Sequence, residues 1–325
     1  MRSPYDHVNK GIIFYRQGKT QDAIKQFKAA ARIDPDNFEA HFNLGNIFHE
    51  QGLLDQALVQ CRIAVQLDPN DADARYNLGN VLKDMNLLEE AIAQYKVAVY
   101  LNPKDAEAYY NLARALMATY RSGSLDEAIA HLRTSLQIDP GSSGTYVNLG
   151  SALRSKGLYH EAIIEFERAV SLDPSSFFAH FNLGRSFDEI YQIDQAILAY
   201  QRAITLTMSD ADLADTHFYL GTALQKRERL DEAIKEYQTA LRLDPDNYRT
   251  HVSIGTALHE LGSLDKAIEE YQFGLRLLPE VFYFLKDQSA INHLLADAYA
   301  DKGLSSKAAG FRNKALQLET AVHSN

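Results

Sequence analysis

The side chains in this chain that could do chemistry are eleven histidines, one cysteine, recurrent acidic pairs and a series of asparagines. Histidine can ligate a metal or move a proton, and paired carboxylates can act as acid and base, if spacing brings them together. Here it does not. No two histidines stand in the i, i+4 arrangement of a zinc-protease helix, and the lone Cys61 excludes a cysteine-rich zinc site. That thiol reads as a small buried apolar residue, and one cysteine allows no intrachain disulfide. "PGSSGTYVNLG" is Gly-rich but lacks the Lys-Ser/Thr ending of a phosphate loop, so it reads as a turn. The carboxylates of "LDEAI" and "LEEAI" open helices, where negative charge suits the helix dipole. The expectation is a chain with no catalytic residues, no metal and no cofactor.

The asparagines differ, because they recur in register. Residues 41 to 46 read "HFNLGN" and residues 180 to 185 read "HFNLGR"; "YNLGN", "YNLAR" and "VNLGS" lie between them. The series is Asn9, Asn43, Asn77, Asn111, Asn148 and Asn182. A carboxamide carries one acceptor oxygen and an NH₂ donor, so it can pair with both polar groups of a peptide bond without reading its side chain. Each bond contributes about 0.5–1.5 kcal/mol net, so a grip needs several together.

The elements that carry these residues are legible from punctuation. Pro35, Pro69, Pro103, Pro140, Pro174, Pro245 and Pro279 recur at intervals of 34, 34, 37, 34, 71 and 34 residues. A fixed period of this length marks stacked supersecondary units. With Pro4 as position 1, the second unit has Leu44 and Gly45 at positions 7 and 8, Phe48 at 11, Gly52 at 15, Ala57 at 20, Cys61 at 24, Ala64 at 27 and Pro69 at 32. Small residues at 8, 20 and 27 let two helices approach. Glycine at 15 suits the left-handed residue past the first helix, and proline stops the second. At 100° per residue, positions 4, 7, 8 and 11 form one stripe, and position 6 lies on the opposite side. The asparagine therefore faces away from the core.

Three insertions interrupt the period, of three residues in "MATYRSGSLDEA", three in "MSDADLADTHFYLG" and seven before the last unit. These lengths approximate whole helical turns, and each is expected to lengthen a helix. The last insertion includes the apolar run "VFYFL", residues 281–285, expected to cover its own core or the last groove.

This pattern resembles the tetratricopeptide repeat over nearly the whole chain. The resemblance implies an all-α, right-handed superhelical solenoid of nine helix-turn-helix repeats. They span 4–37, 38–71, 72–105, 106–142, 143–176, 177–210, 214–247, 248–281 and 289–322, with the last cap-like. In such proteins the first helices line the concave surface, which would place the asparagines there as a ladder; the alternative is that some of these amides bond to a neighbouring repeat or hold ordered water. The Asn positions look like those of the superhelical region of O-linked N-acetylglucosaminyltransferases. His7, His41, His180, His217 and His251 fall at position 4, where the family carries a bulky residue between helices. Family members that clamp a chaperone's terminal carboxylate use Lys at position 5; Val8, Phe42, Tyr76, Tyr110 and their successors stand there instead, so no such clamp is expected. Those position-5 residues are expected to pack on the next repeat's helix.

The resulting expectation is a noncatalytic scaffold that binds an extended or helical protein segment. Its peptide-binding residues would be Asn43, Asn46, Asn77, Asn80, Asn111, Arg114, Asn148, Arg154, Phe178, Asn182 and Arg185. Rival readings are a self-assembling scaffold, as dimer or end-to-end oligomer, and a targeting arm of an enzyme complex. Net charge −10 argues against nucleic-acid binding, which needs clustered Lys and Arg. No stretch has the length and apolarity of a signal peptide or membrane helix, so the expected location is cytoplasmic.

Overall fold

The structure, a computed structural model, describes residues 3–119, 123–207, 209–279 and 282–323. They form eighteen α-helices and no strand. The chain divides into two compact units, Met1–Gly157 and Leu158–Asn325.

The N-terminal unit holds α1 (Pro4–Arg16), α2 (Thr20–Ile33), α3 (Phe38–Glu50), α4 (Leu54–Leu67), α5 (Ala72–Asp84), α6 (Leu88–Leu101), α7 (Ala106–Ala118), α8 (Ser124–Ile138) and α9 (Ser143–Ser155). The C-terminal unit holds α10 (Tyr159–Leu172), α11 (Phe177–Glu189), α12 (Ile193–Ile204), α13 (Asp210–Lys226) and α14 (Leu230–Leu243). It continues with α15 (Tyr248–Glu260), α16 (Leu264–Leu277), a 3-10 turn over Phe282–Phe284, α17 (Leu285–Asp301) and α18 (Ser305–His323). Within each unit, helices pack antiparallel in pairs, and each pair packs on the next.

Most first helices begin on a built cap, α17 being the exception. Asn37, Asp71, Asp105, Ser142, Ser176 and Asn247, two residues past a proline, accept from the backbone N–H three residues on. Such a cap contributes about 1 kcal/mol and fixes where the helix starts. The turn to the second helix passes through the left-handed region: Gly18, Gly52, Gly123, Gly157, Gly262 and Gly303 have φ between 70° and 81°. Three repeats put side chains there instead, Asn86, Tyr191 and Glu228, at φ 58–61°.

Close approach inside a pair rests on position 8. A Cβ on Gly79 would lie 2.6 Å from the Tyr95 ring, and one on Gly221 would lie 2.7 Å from Tyr237. In the fourth repeat Ala113 replaces the glycine, and position 24 holds Leu132 in place of a ring; both are fully buried.

The insertions behave differently. Helix α13 reaches 17 residues against 13 for most first helices, with Ser209 as its cap, and α17 also reaches 17. Helix α7, expected to lengthen, does not: it has 13 residues and ends at Ala118. The Thr119 hydroxyl bonds back to the Leu116 carbonyl there. The rest of that insertion, residues 120–122, lies outside the described residues. Of the run 281–285, Val281 lies outside the description, Tyr283 is 85% exposed, and Phe284 packs edge-on to Tyr248 at 6.3 Å. Among the described residues, no helix is long and apolar enough to cross a membrane.

Candidate functional site

The position-4 side chains are structural. His41 is buried, and its ring lies 2.7 Å from Gln60 Oε1 and 3.0 Å from the Pro35 carbonyl. Arg75 does the same with Gln94 and the Pro69 carbonyl. His217 and His251 pair with Glu236 and Glu270, 2.6 and 2.7 Å away. These side chains fill the space between the two helices of a repeat, and His41 and Arg75 also tie it to the one before. Among the described residues, no three His, Cys, Asp or Glu side chains converge as metal ligands. Cys61 is buried beside Gly45, and burial pushes its thiol up to about 12, so it stays protonated and inert.

The asparagines lie away from the position-4 stripe, but most are not free. Asn111 is only 7% exposed, and its Nδ2 donates to Tyr76 Oη at 2.7 Å. Tyr76 in turn donates to Glu107 Oε1 at 2.7 Å. Since that hydroxyl spends its proton on Glu107, it must accept from Asn111. Burial raises the Tyr76 pKa, so the phenol stays a donor. One repeat on, Asn148 Nδ2 reaches Tyr110 Oη at 3.0 Å and the Gly144 carbonyl at 3.1 Å. Asn43 and Asn182 donate to carbonyls of their own helices, Glu39 at 2.6 Å and Phe178 at 2.9 Å. Asn80 gives its oxygen to Tyr95 Oη at 2.7 Å.

Two candidates remain without a partner among the described residues, Asn46 and Asn77, both half-buried. The reason lies in the residues opposite. Asn111 and Asn148 are held by tyrosines at position 5 of the preceding repeat; the residue standing there for Asn77 is Phe42, which has no hydroxyl. Asn80 is held by the position-24 tyrosine of its own repeat; the counterpart for Asn46 is Cys61. The sequence contains this signal, since Tyr76 and Tyr110 sit one repeat ahead of the asparagines they hold and Tyr95 lies in the same repeat as Asn80.

The remaining candidates flank this face. Arg114 is exposed, with its guanidinium 5.6 Å from the Tyr110 ring. Arg154 is half-buried on α9. In the C-terminal unit Arg185 lies over Tyr219 at 4.7 Å, and Phe178 is 59% exposed. Position 6 changes character there: Tyr219 meets Phe181 edge-on at 5.6 Å, an aromatic contact where the N-terminal unit uses a hydrogen bond. The position-5 residues Tyr76, Tyr110 and Phe181 thus engage the next repeat's first helix, as expected.

No curated protein matches the sequence. Among solved structures, the chain is similar to the APC/C hetero-tetramer Cut9–Hcn1, with 20% identity, 89% of this chain and 54% of that chain covered, and a TM-score of 0.58. It is similar to a tetratricopeptide repeat protein from Parabacteroides merdae, with 17% identity, coverage of 78% and 98%, and a TM-score of 0.55. A third is YrrB, described as a TPR protein with an unusual peptide-binding site, with 20% identity, coverage of 62% and 97%, and a TM-score of 0.52. At these identities the likeness establishes the fold. A TPR repeat model matches residues 11–52, 45–86, 79–119 and 221–262, and a tetratricopeptide repeat model matches 106–142 and 143–176. Those matches span more than half of the chain, which belongs to the tetratricopeptide repeat family.

Proposed function

We propose that this chain is a noncatalytic protein-interaction scaffold that grips an extended partner segment along the first-helix face of its N-terminal unit. The observation that carries the reading is the pair Asn46 and Asn77, the two carboxamides left without an internal partner by Phe42 and Cys61. Each retains both a donor and an acceptor, which is what a passing peptide group requires. The neighbouring Asn148 has spent both N–H donors and would accept from a ligand N–H, whereas Asn43 keeps its oxygen and one N–H. Asn111, buried and braced, positions the helix around them. Arg114 and Arg154 favour an acidic residue beside the gripped backbone, with charge acting more on the rate of association than on affinity.

The test is affinity capture from a native extract, comparing the wild type with the Asn46→Ala/Asn77→Ala double variant. Specific prey should be lost while helicity and thermal midpoint stay near wild type. Prey retained unchanged would remove the proposal.

A further inference from the structure

We propose a second binding site in the C-terminal unit, between α16, α17 and α18, for a small amphipathic carboxylate that also carries one N–H or O–H donor. It lies outside the asparagine face and does not depend on it. The site is a cavity of about 560 Å³, within the range of pockets that hold small ligands. Leu275, Leu278, Leu285 and Leu318 supply apolar walls, and Asn292 stands among the lining residues.

The cavity has a sequence-level cause. Position 4 holds His41, Arg75, His217 or His251 in other repeats, and each spans the helices to a polar residue nineteen positions on. In the last repeat position 4 is Asn292, which is smaller than an imidazole or a guanidinium, and the residue nineteen on is Phe311, which offers no polar group. The proline carbonyl that would complete the pattern, that of Pro279, is taken by Gln288 Nε2 at 3.0 Å. The space that a large side chain fills elsewhere stays open here.

The same change orphans a polar atom. Asn292 is fully buried; its Nδ2 donates to the Gln288 carbonyl at 2.6 Å, and its Oδ1 has no hydrogen-bond partner. A buried acceptor without a donor is costly, and a ligand that brings an N–H or O–H relieves it once a side chain of the cavity wall shifts to admit the donor, since the oxygen itself is closed off. At the rim, Arg276 and Lys314 are exposed cations. Lys314 makes no ion pair among the described residues, although this chain carries ten more acidic than basic side chains. Apolar walls, an orphaned acceptor and a cationic rim together specify an apolar body, a donor and an anionic group.

N-acetyl-L-leucine has all three features and is the probe, with binding followed by ligand-observed NMR and thermal shift on the whole chain. Removing its carboxylate, as in N-acetyl-L-leucinamide, or its N–H, as in 4-methylpentanoate, should weaken binding about fivefold or more, the loss of one charge-assisted or hydrogen bond. Asn292→Leu removes the acceptor and Asn292→His fills the volume; each should raise the thermal midpoint and weaken the probe about tenfold. Lys314→Glu, on the surface, should weaken it without changing stability, and Asn46→Ala/Asn77→Ala should leave it unchanged. No binding by the wild type, or equal binding by both Asn292 variants, overturns the proposal. A pentapeptide ending in free leucine that binds more than about tenfold tighter than the probe overturns the small-molecule occupant in favour of a chain terminus.

Discussion

Asn111 Nδ2 donates to Tyr76 Oη across 2.7 Å, joining the first helices of two successive repeats 35 residues apart. The bond holds repeat to repeat. Tyr76→Phe removes the acceptor and strands a donor in a residue only 7% exposed. The expected cost is about 1–3 kcal/mol, measured as a fall in the urea midpoint. Tyr110→Phe should cost less, because Asn148 is more exposed and keeps the Gly144 carbonyl.

Phe42→Tyr makes the opposite change. It would place a hydroxyl where Tyr76 and Tyr110 have theirs and engage Asn77. A gain of about 0.5–1.5 kcal/mol is expected, together with weaker partner capture, because one of the open carboxamides becomes occupied. Thermal unfolding and the capture assay on the same variant read both effects. Tighter capture alongside higher stability would contradict the role given to Asn77.

Position 15 gives a backbone test. Tyr191 sits at φ 61° and is 81% exposed, so its side chain makes little return for the left-handed conformation. That conformation costs an L residue roughly 1–2 kcal/mol, and glycine returns about 0.5–1 kcal/mol in unfolded-state entropy. Tyr191→Gly should therefore stabilise by about 0.5–1 kcal/mol. Gly52→Ala should destabilise by a similar amount from backbone strain alone, since an added Cβ meets nothing within 4 Å. Denaturant midpoints of the two variants should move in opposite directions.

The helix pairs and their order were legible because glycine at 15, proline at 32 and the polar cap two residues later act locally, each through its own backbone. The end of α7 was not. Three extra residues fit one helical turn, but they fit a longer connection equally well, and α7 stops at Ala118. The asparagine face could be placed by counting 100° per residue. Its occupancy is not legible one repeat at a time, since whether Asn77 is free depends on residue 42, one repeat away, and on whether that ring carries a hydroxyl. The Asn292 cavity was missed for a related reason: a short polar side chain at position 4 matters only by comparison with what fills that place in the other repeats.

Acid should weaken the fold before carboxylates titrate. Burial holds the pKa of His131 below the usual 6.5, against a smaller opposing pull from Glu127, and burial likewise lowers His180. A histidine depressed in the folded state binds its proton more readily when unfolded. Its contribution is therefore fully present above 6.5 and is lost as pH falls from there toward the folded values. Thermal midpoints should decline between about pH 7 and pH 5.5. His131→Gln should flatten that slope, and an unchanged slope would show that the ring is solvated.

Gly79 and Tyr95 provide the packing test. A Cβ on Gly79 would lie 2.6 Å from the ring, so Gly79→Ala overpacks a fully buried contact at an expected cost of about 1–3 kcal/mol. The fourth repeat shows how such a cost is absorbed, since Ala113 there occurs with Leu132. Tyr95→Leu alone should also destabilise, both by loss of ring volume and by loss of the bond to Asn80. In the double variant Gly79→Ala/Tyr95→Leu, the leucine should give the new methyl room. The pair should then cost less than the sum of its parts by about 1 kcal/mol or more, as read by a double-mutant cycle on urea midpoints. Strict additivity would mean that glycine at position 8 serves the backbone and not the facing ring. Because Tyr95→Leu also frees the Asn80 oxygen, the double variant should capture the partner segment at least as well as the wild type.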